Sequence, residues 1–478
     1  MDPIGTVRRS YLTDTWHEAD ATYEVRGPLD DEVLADVADC GPAEAREAAD
    51  VAWTAFETWR GTTAFERADV LRRWHDLIME NQESLARTMT REMGKPIKEA
   101  RGEVAYSAGF VRWYAEQAPR AYGEVFPTTS SGKRGLALRQ PVGPAYAVTP
   151  WNFPAAMVTR KAAPALAAGC TFILKPAEQT PLTALLMARL WLEAGGPAGT
   201  LQVLPTNDPG PLTEPLMADP RIRKVTFTGS TEVGRILYKQ SAETIKKLSL
   251  ELGGHAPFLV FADADLDQAV AATIACKFRN AGQTCVCTNR IYVQEEIAEA
   301  FTRKYVEAVR GLNVGDPNDD ATDVGPLVDA DGLDKVREHV ADAVRRGARI
   351  ELGGEATGGL FYLPTVLTGV TADMKLMSEE TFGPVAPILT FSSEAEAIEL
   401  ANDTPFGLAS YLYTNDLGRA WRVAEALDYG IVGVNDGVPS APHAPFGGMK
   451  QSGVGREGGP WGLDEYLEIK YVSMGLGG

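Results

Sequence analysis

From residue 144 onward, short apolar runs alternate with helix-length segments, and that rhythm limits the fold more than any other feature of the chain. "AYAVT" precedes "PAAMVTRKAAPALAAG", "TFILK" precedes "TALLMARLWLEAGG", and "LQVL" and "KVTFT" lead into "TEVGRILYKQSAE". Such alternation builds βαβ units, hence a parallel sheet covered by helices, with ligands beyond the carboxyl ends of the strands. A second α/β series starts at "PFLVF" (257–261), continues through the helix "QAVAATIACKF" and reaches the strand "NRIYV". The stretch "GQTCVC" (282–287) therefore lies between a helix and a strand, where a loop can offer a side chain to a cleft.

Upstream, the first 40 residues read as irregular. Three amphipathic helical segments follow, in which Arg112, Trp113 and Tyr114 read as helix-packing residues. Residues 121–141 break the pattern with Gly, Ser and Pro and read as an extended ribbon or hairpin. At about 100–200 residues per domain, two to four domains are expected.

A net charge of −19 makes the whole-molecule field repel nucleic acid and anionic lipid, so any anionic ligand needs local cations. No secretory h-region opens the sequence and no apolar run reaches the roughly 18 residues of a membrane helix, which points to the cytoplasm. Cys40, Cys170, Cys276, Cys285 and Cys287 form an odd, sparse set that suits reduced thiols. The five histidines are scattered and neither CxxC nor HExxH occurs, so no metal site is expected.

The one GxGxxG match, "GVGREG" (453–458), follows no strand and leaves only 20 residues after it, so its glycines read as turns. A better phosphate candidate is "FTGSTEVG", where a strand ends at Gly229 and a helix starts near Ser230. An ordinary capped helix gives the same letters. "LKPAEQTP" ends another strand, and there Lys175 and Glu178 can hold ribose hydroxyls together or form a plain surface pair.

Three residues suggest chemistry. Cys285 follows the flexible polar approach Gly282–Gln283–Thr284, whereas Cys276 and Cys170 read as core. Glu251 ends a strand before two glycines and, facing a cleft, can serve as a general base for water. Asn152, fixed between Pro150 and Pro154 in "TPWNFP", is either a turn residue or an amide donor for an oxyanion.

Seven ordered motifs, "TPWNFP", "LKPAEQTP", "FTGSTEVG", "LELGGHAP", "GQTCVC", "EETFGPV" and "PFGGMKQSGVGRE", give essentially the whole chain a resemblance to the NAD(P)-dependent aldehyde dehydrogenase superfamily. The resemblance implies an α/β, aldehyde dehydrogenase-like fold: a Rossmann-like NAD-binding domain (1–120 and 142–253), an α/β catalytic domain (254–450), and an oligomerisation ribbon and tail (121–141 and 451–478). It implies that Cys285 attacks the aldehyde, that Asn152 and the Cys285 N–H meet the oxyanion, that hydride passes to nicotinamide, and that Glu251 activates water against the thioester. Trp151, Lys175, Glu178, Gly229, Ser230, Gly234, Glu380 and Phe382 become cofactor residues. A carboxylate at position 178 repels a 2′-phosphate, which favours NAD, with NADP as the other candidate.

The "CVC" form resembles the succinate semialdehyde dehydrogenase branch, in which the second thiol, here Cys287, can close a reversible disulfide; the alternative is a small residue lining the loop. Arg279, six residues before Cys285, Arg160, eight after Asn152, and Ser440 resemble that branch's carboxylate-binding set. Read without the resemblance, Arg160 is a helix surface charge and Arg279 a helix C-terminal cation. The implied substrate is a small aldehyde bearing a carboxylate, succinate semialdehyde first and glutarate semialdehyde next. The rivals are a broad-range aldehyde oxidiser, a coenzyme A dependent acylating enzyme and a catalytically silent protein of the same fold. Pro439, Pro442 and His443 around Ser440, and Thr381 where a bulky aliphatic is usual, depart from the pattern. The ribbon and the "EYLEIKYVSM" strand imply a homo-oligomer, dimer or tetramer.

Overall fold

The computed structural model describes Gly5 and residues 7–476. The expected parallel sheet is formed by β1 (Ala145–Val148), β2 (Phe172–Lys175), β3 (Leu201–Val203), β4 (Lys224–Thr228) and β5 (Lys247–Glu251), in the order β3-β2-β1-β4-β5. β2 and β4 are buried along their whole length, which is why they read as continuous apolar runs. The order reverses between β1 and β4, and a crevice opens at such a point.

Two antiparallel additions close the edges. Ser10–Leu12, paired with Trp16–Glu18, joins β3, and Gly453–Val454 joins β5. The sequence reading of the first 40 residues as irregular is thus corrected: strands also occupy Thr22–Arg26 and Val33–Ala38. Three-residue strands are too short for their alternation to show. Of the "GVGREG" glycines, read as turns from the sequence, Gly453 is instead a strand residue paired with Glu251, while Gly455 and Gly458 are left-handed bend positions at φ +82° and +70°.

Helix α1 (Ile97–Gln117) packs on α2 (Ala156–Ala168), and every residue of α2 is buried. Helix α3 (Thr231–Ser241) follows β4; the Ser230 hydroxyl caps it by accepting the Val233 N–H.

The second sheet contains β6 (Ala256–Val260), β7 (Thr288–Gln294), β8 (Thr365–Thr368), β9 (Val385–Phe391), β10 (Ala409–Tyr413) and β11 (Ile431–Val434). They run parallel in the order β8-β9-β7-β6-β10-β11. Helix α4 (Leu266–Phe278) leads into β7 through the short turn Arg279–Gly282. The two sheets present opposite ends to one cleft. Asn152 and Gly229 follow β1 and β4, whereas Cys285 and Glu380 precede β7 and β9.

Residues 121–141 form the expected ribbon: Glu124–Phe126 and Lys133–Pro141 pair antiparallel, and Leu467–Gly475 adds a third strand. No helix among the described residues is long and apolar enough to cross a membrane. No cluster of three or more potential metal ligands occurs among them either.

Candidate active site

The approach to Cys285 is a run of left-handed residues: Asn280 and Ala281 at φ +52° and +55°, then Gly282 at +75°. A Cβ at position 282 would stand 2.2 Å from the Gly383 carbonyl oxygen, so only glycine fits there. The non-glycine pair is strained and needs bracing. Asn280 supplies it: its N–H donates to Glu99 (2.8 Å), and its Nδ2 donates to the carbonyls of Asn152 and Gln283 (both 3.2 Å).

Cys285 lines two cavities, one of ≈ 320 Å³ and one of ≈ 340 Å³. The first also contains Arg160, Arg279 and Ser440, and the second contains Trp151, Asn152, Gly229, Ser230, Glu380 and Phe382. The structure thus brings around Cys285 residues as far apart in sequence as Trp151 and Ser440.

Asn152 is held firmly. Its carbonyl accepts from Lys95 Nζ (2.7 Å), and its Nδ2 donates to Gln283 O (3.1 Å). Lys95 in turn is ion-paired with Glu103, both fully buried. The Cys285 N–H makes no hydrogen bond among the described residues, so it and the amide face of Asn152 can meet an oxyanion. Burial pushes the Cys285 thiol up to about 12, with the Arg160 guanidinium the main opposing influence.

Glu251 departs from the expectation that it faces the cleft, because it lines neither cavity. Both of its carboxylate oxygens are buried without a hydrogen-bond partner among the described residues. Burial, then the negative charge of Glu457, push its carboxyl well above the usual range, and Arg160 and Lys161 only partly oppose this. Burial and Glu457 thus favour the protonated form of Glu251, which can act as a base only after losing that proton.

Glu457 went unnoticed in the sequence, where it is one letter of "GVGREG". Burial works to raise its carboxyl, but Lys161 and Arg160 outweigh that and hold it low. It forms an ion pair with Arg160 Nε at 2.6 Å and another with Lys161 Nζ. Arg160, 1% exposed and stacked 3.9 Å from the Phe446 ring centre, is no helix surface charge, since α2 has no surface. Arg279 differs: it makes no ion pair among the described residues, and its Nε is buried without a hydrogen-bond partner.

On the other side, the Phe382 ring packs edge-on against Trp151 at 5.5 Å. Glu380 accepts the Gly254 N–H (3.3 Å), and burial pushes its carboxyl up to about 7 against the pull of that bond. Thr381 has a polar partner in His339 Nδ1 at 3.1 Å, which accounts for a hydroxyl at this position. Lys175 and Glu178 pair at 3.0 Å at the end of β2. Glu178 lines a separate groove of ≈ 710 Å³ together with Tyr23 and Asn207. Gly234 lies one turn inside α3, outside both cavities, where a Cβ would stand 2.4 Å from Leu252; its absence lets α3 pack closely on the loop after β5. Cys287 is fully buried, with Sγ 3.2 Å from Gly282 O and 3.8 Å from Lys277 Nζ, while Cys285 opens to the cavities.

A thiol between two chambers, one walled by the N-terminal end of α3 and by Glu380, has the make-up of a dinucleotide-linked oxidoreductase with a cysteine nucleophile. The aldehyde dehydrogenase family model matches residues 16–472, and the chain belongs to that family. It is 51% identical to the succinate-semialdehyde dehydrogenase GabD of Escherichia coli, whose name specifies NADP(+), over 98% of each chain. It is also 51% identical to a glutarate-semialdehyde dehydrogenase of Pseudomonas aeruginosa, again over 98% of each. The solved succinate-semialdehyde dehydrogenase of Burkholderia pseudomallei superposes with a TM-score of 0.97 at 51% identity, covering 98% of both chains. The protein is an aldehyde-oxidising enzyme.

Proposed function

We propose that the protein oxidises succinate semialdehyde to succinate with NAD. The observation that carries the substrate class is Arg279, a guanidinium in the wall of the Cys285 cavity that feels the charge of Glu99 but makes no salt bridge among the described residues. In a protein of net charge −19, such a group suits an anionic tail, to which guanidinium can bond in bidentate fashion. Arg160 adds positive potential while tied to Glu457, and Ser440 offers a hydroxyl. Glutarate semialdehyde, one carbon longer, is the second reading, favoured by the glutarate-semialdehyde relative.

Cys285, after its thiol proton is lost to solvent, bonds through Sγ to the aldehyde carbon as the C=O π bond breaks, and Asn152 Nδ2 and the Cys285 N–H hold the resulting oxyanion. Bound dinucleotide supplies the hydride acceptor. Trp151, Gly229, Ser230, Glu380 and Phe382 hold its nicotinamide half, and Lys175 and Glu178 its adenosine ribose; Gly234 contributes by letting α3 approach. Glu251, once deprotonated, takes a proton from the water that cleaves the thioester.

The carboxylate of Glu178 supports NAD, in contrast to the NADP(+) in the Escherichia coli relative's name. The two-sheet architecture supports a cofactor domain ending near 253 and a catalytic domain from 254, and the exposed ribbon supports a dimer or tetramer. The placement of Cys287 two residues from the nucleophile supports a peroxide-driven Cys285–Cys287 disulfide. Closing it requires the 284–287 turn to rotate Cys287 away from Gly282. Dithiothreitol-reversible inactivation should therefore vanish in Cys287→Ala.

The test is a panel of succinate semialdehyde, glutarate semialdehyde and butanal with NAD and NADP, read at the NADH absorbance band. Succinate semialdehyde with NAD should give the highest kcat/KM, and Arg279→Ala should erase its advantage over butanal. An advantage that survives Arg279→Ala would sink the reading.

A further inference from the structure

Tyr106, on α1, lines the Cys285 cavity together with Arg279 and Ser440. Its hydroxyl donates to Ser440 Oγ at 3.2 Å across 334 residues of sequence, and its ring packs edge-on to Phe110 at 4.9 Å. A serine hydroxyl has one proton and two lone pairs, so an Oγ that accepts from Tyr106 keeps its own proton for another partner. Without that bond the rotor is free, and it can equally turn its lone pairs toward an incoming anion. A carboxylate only accepts hydrogen bonds, so the direction of this proton decides whether Ser440 attracts the tail or repels it.

We propose that Tyr106 is a positioning residue for substrate specificity: by donating to Ser440 Oγ it turns the Ser440 proton toward the anionic tail bound at Arg279. This rests on the carboxylate-tail reading above and adds a residue to it from another part of the chain. The effect belongs to the tail and not to the reacting carbonyl, so it is read in KM and only for charged substrates.

The experiment compares the KM ratio of succinate semialdehyde to butanal in the full-length enzyme and in Tyr106→Phe, Ser440→Ala, the double variant and Arg279→Ala. Tyr106→Phe keeps the ring and its packing. The ratio should rise about tenfold or more in each of the first two variants, the size of one lost hydrogen bond to a charged group. The double variant should rise no further than Ser440→Ala alone, because Tyr106 acts through that hydroxyl. An unchanged ratio in Tyr106→Phe, or single effects that multiply in the double variant, would overturn the proposal. Arg279→Ala distinguishes the two levels. If it erases the preference while Tyr106→Phe does not, the Tyr106 assignment fails alone; if it leaves the preference intact, the carboxylate reading fails and Tyr106 falls with it.

Discussion

Burial at Cys285 is only partly offset by Arg160, and a thiol pushed up to about 12 is ionised to ~10⁻⁵ at pH 7. The resting nucleophile is therefore held mainly as the thiol, and both alkylation and the proposed peroxide step must draw on its small thiolate fraction. Because its pKa is raised, the thiolate fraction grows with pH. Iodoacetamide labelling of Cys285 in cofactor-free protein, followed by peptide mass spectrometry, should accelerate about tenfold per pH unit from 7 to 10 without a plateau. Burial likewise raises the Glu251 carboxyl and favours its protonated form, which must lose that proton before it can act on water. Glu251→Gln should give a burst of about one NADH per subunit and then a steady rate lower by about 10² or more, since deacylation alone has lost its base. Cys285 stood out in the sequence as a thiol after the flexible Gly-Gln-Thr approach, whereas Asn152 between its two prolines read equally as a turn residue and only the resemblance implied the amide donor. Tyr106 and Glu457 were not. A tyrosine four residues before Phe110 looks like any helix-packing pair, and the charge partners of Glu457 are almost 300 residues away.

Several helices begin correctly only because a distant group completes them. Pro181–Glu193 makes no side-chain cap of its own; instead buried Glu92, from the helix Gln82–Met93, accepts the Leu182 and Thr183 N–H groups at 3.0 and 3.1 Å and the Thr183 hydroxyl. Glu92→Ala leaves two N–H groups buried without acceptors. It should lower stability by about 2–4 kcal/mol in chemical unfolding, with Glu92→Gln restoring roughly half. The sequence signals the start of this helix through Thr180-Pro181, but not the residue that caps it, because capping partners from other elements leave no local trace. The same limit hid the opening hairpin. Leu12 pairs with Val203, and the information for that strand resides in the sheet edge it joins. The continuous apolar strands β2 and β4 were readable because burial on both faces writes itself into consecutive letters.

At the scale of the molecule, the first sheet contributes its carboxyl ends and the second its amino ends. The parallel character of both sheets follows from the alternation of elements. Their mutual orientation does not, since it is fixed by contacts between segments far apart in the chain. The ribbon is the other whole-molecule feature. Ile469 and Tyr471 are 73% and 60% exposed on one face of it, and on the proposed oligomeric reading a second copy covers that apolar face. Ile469→Asp should reduce the sedimenting mass at micromolar concentration while each subunit keeps its circular dichroism.

The position of the thiol between two chambers carries a further kinetic meaning. Cys285 is the one residue that lines both cavities, so on the proposed reading the aldehyde's tail and the bulk of the dinucleotide would occupy different chambers. A dicarboxylate that plugs the Arg279 side and a dinucleotide analogue on the Glu380 side should therefore occupy one subunit together, and equilibrium dialysis should find each binding undiminished in the presence of the other.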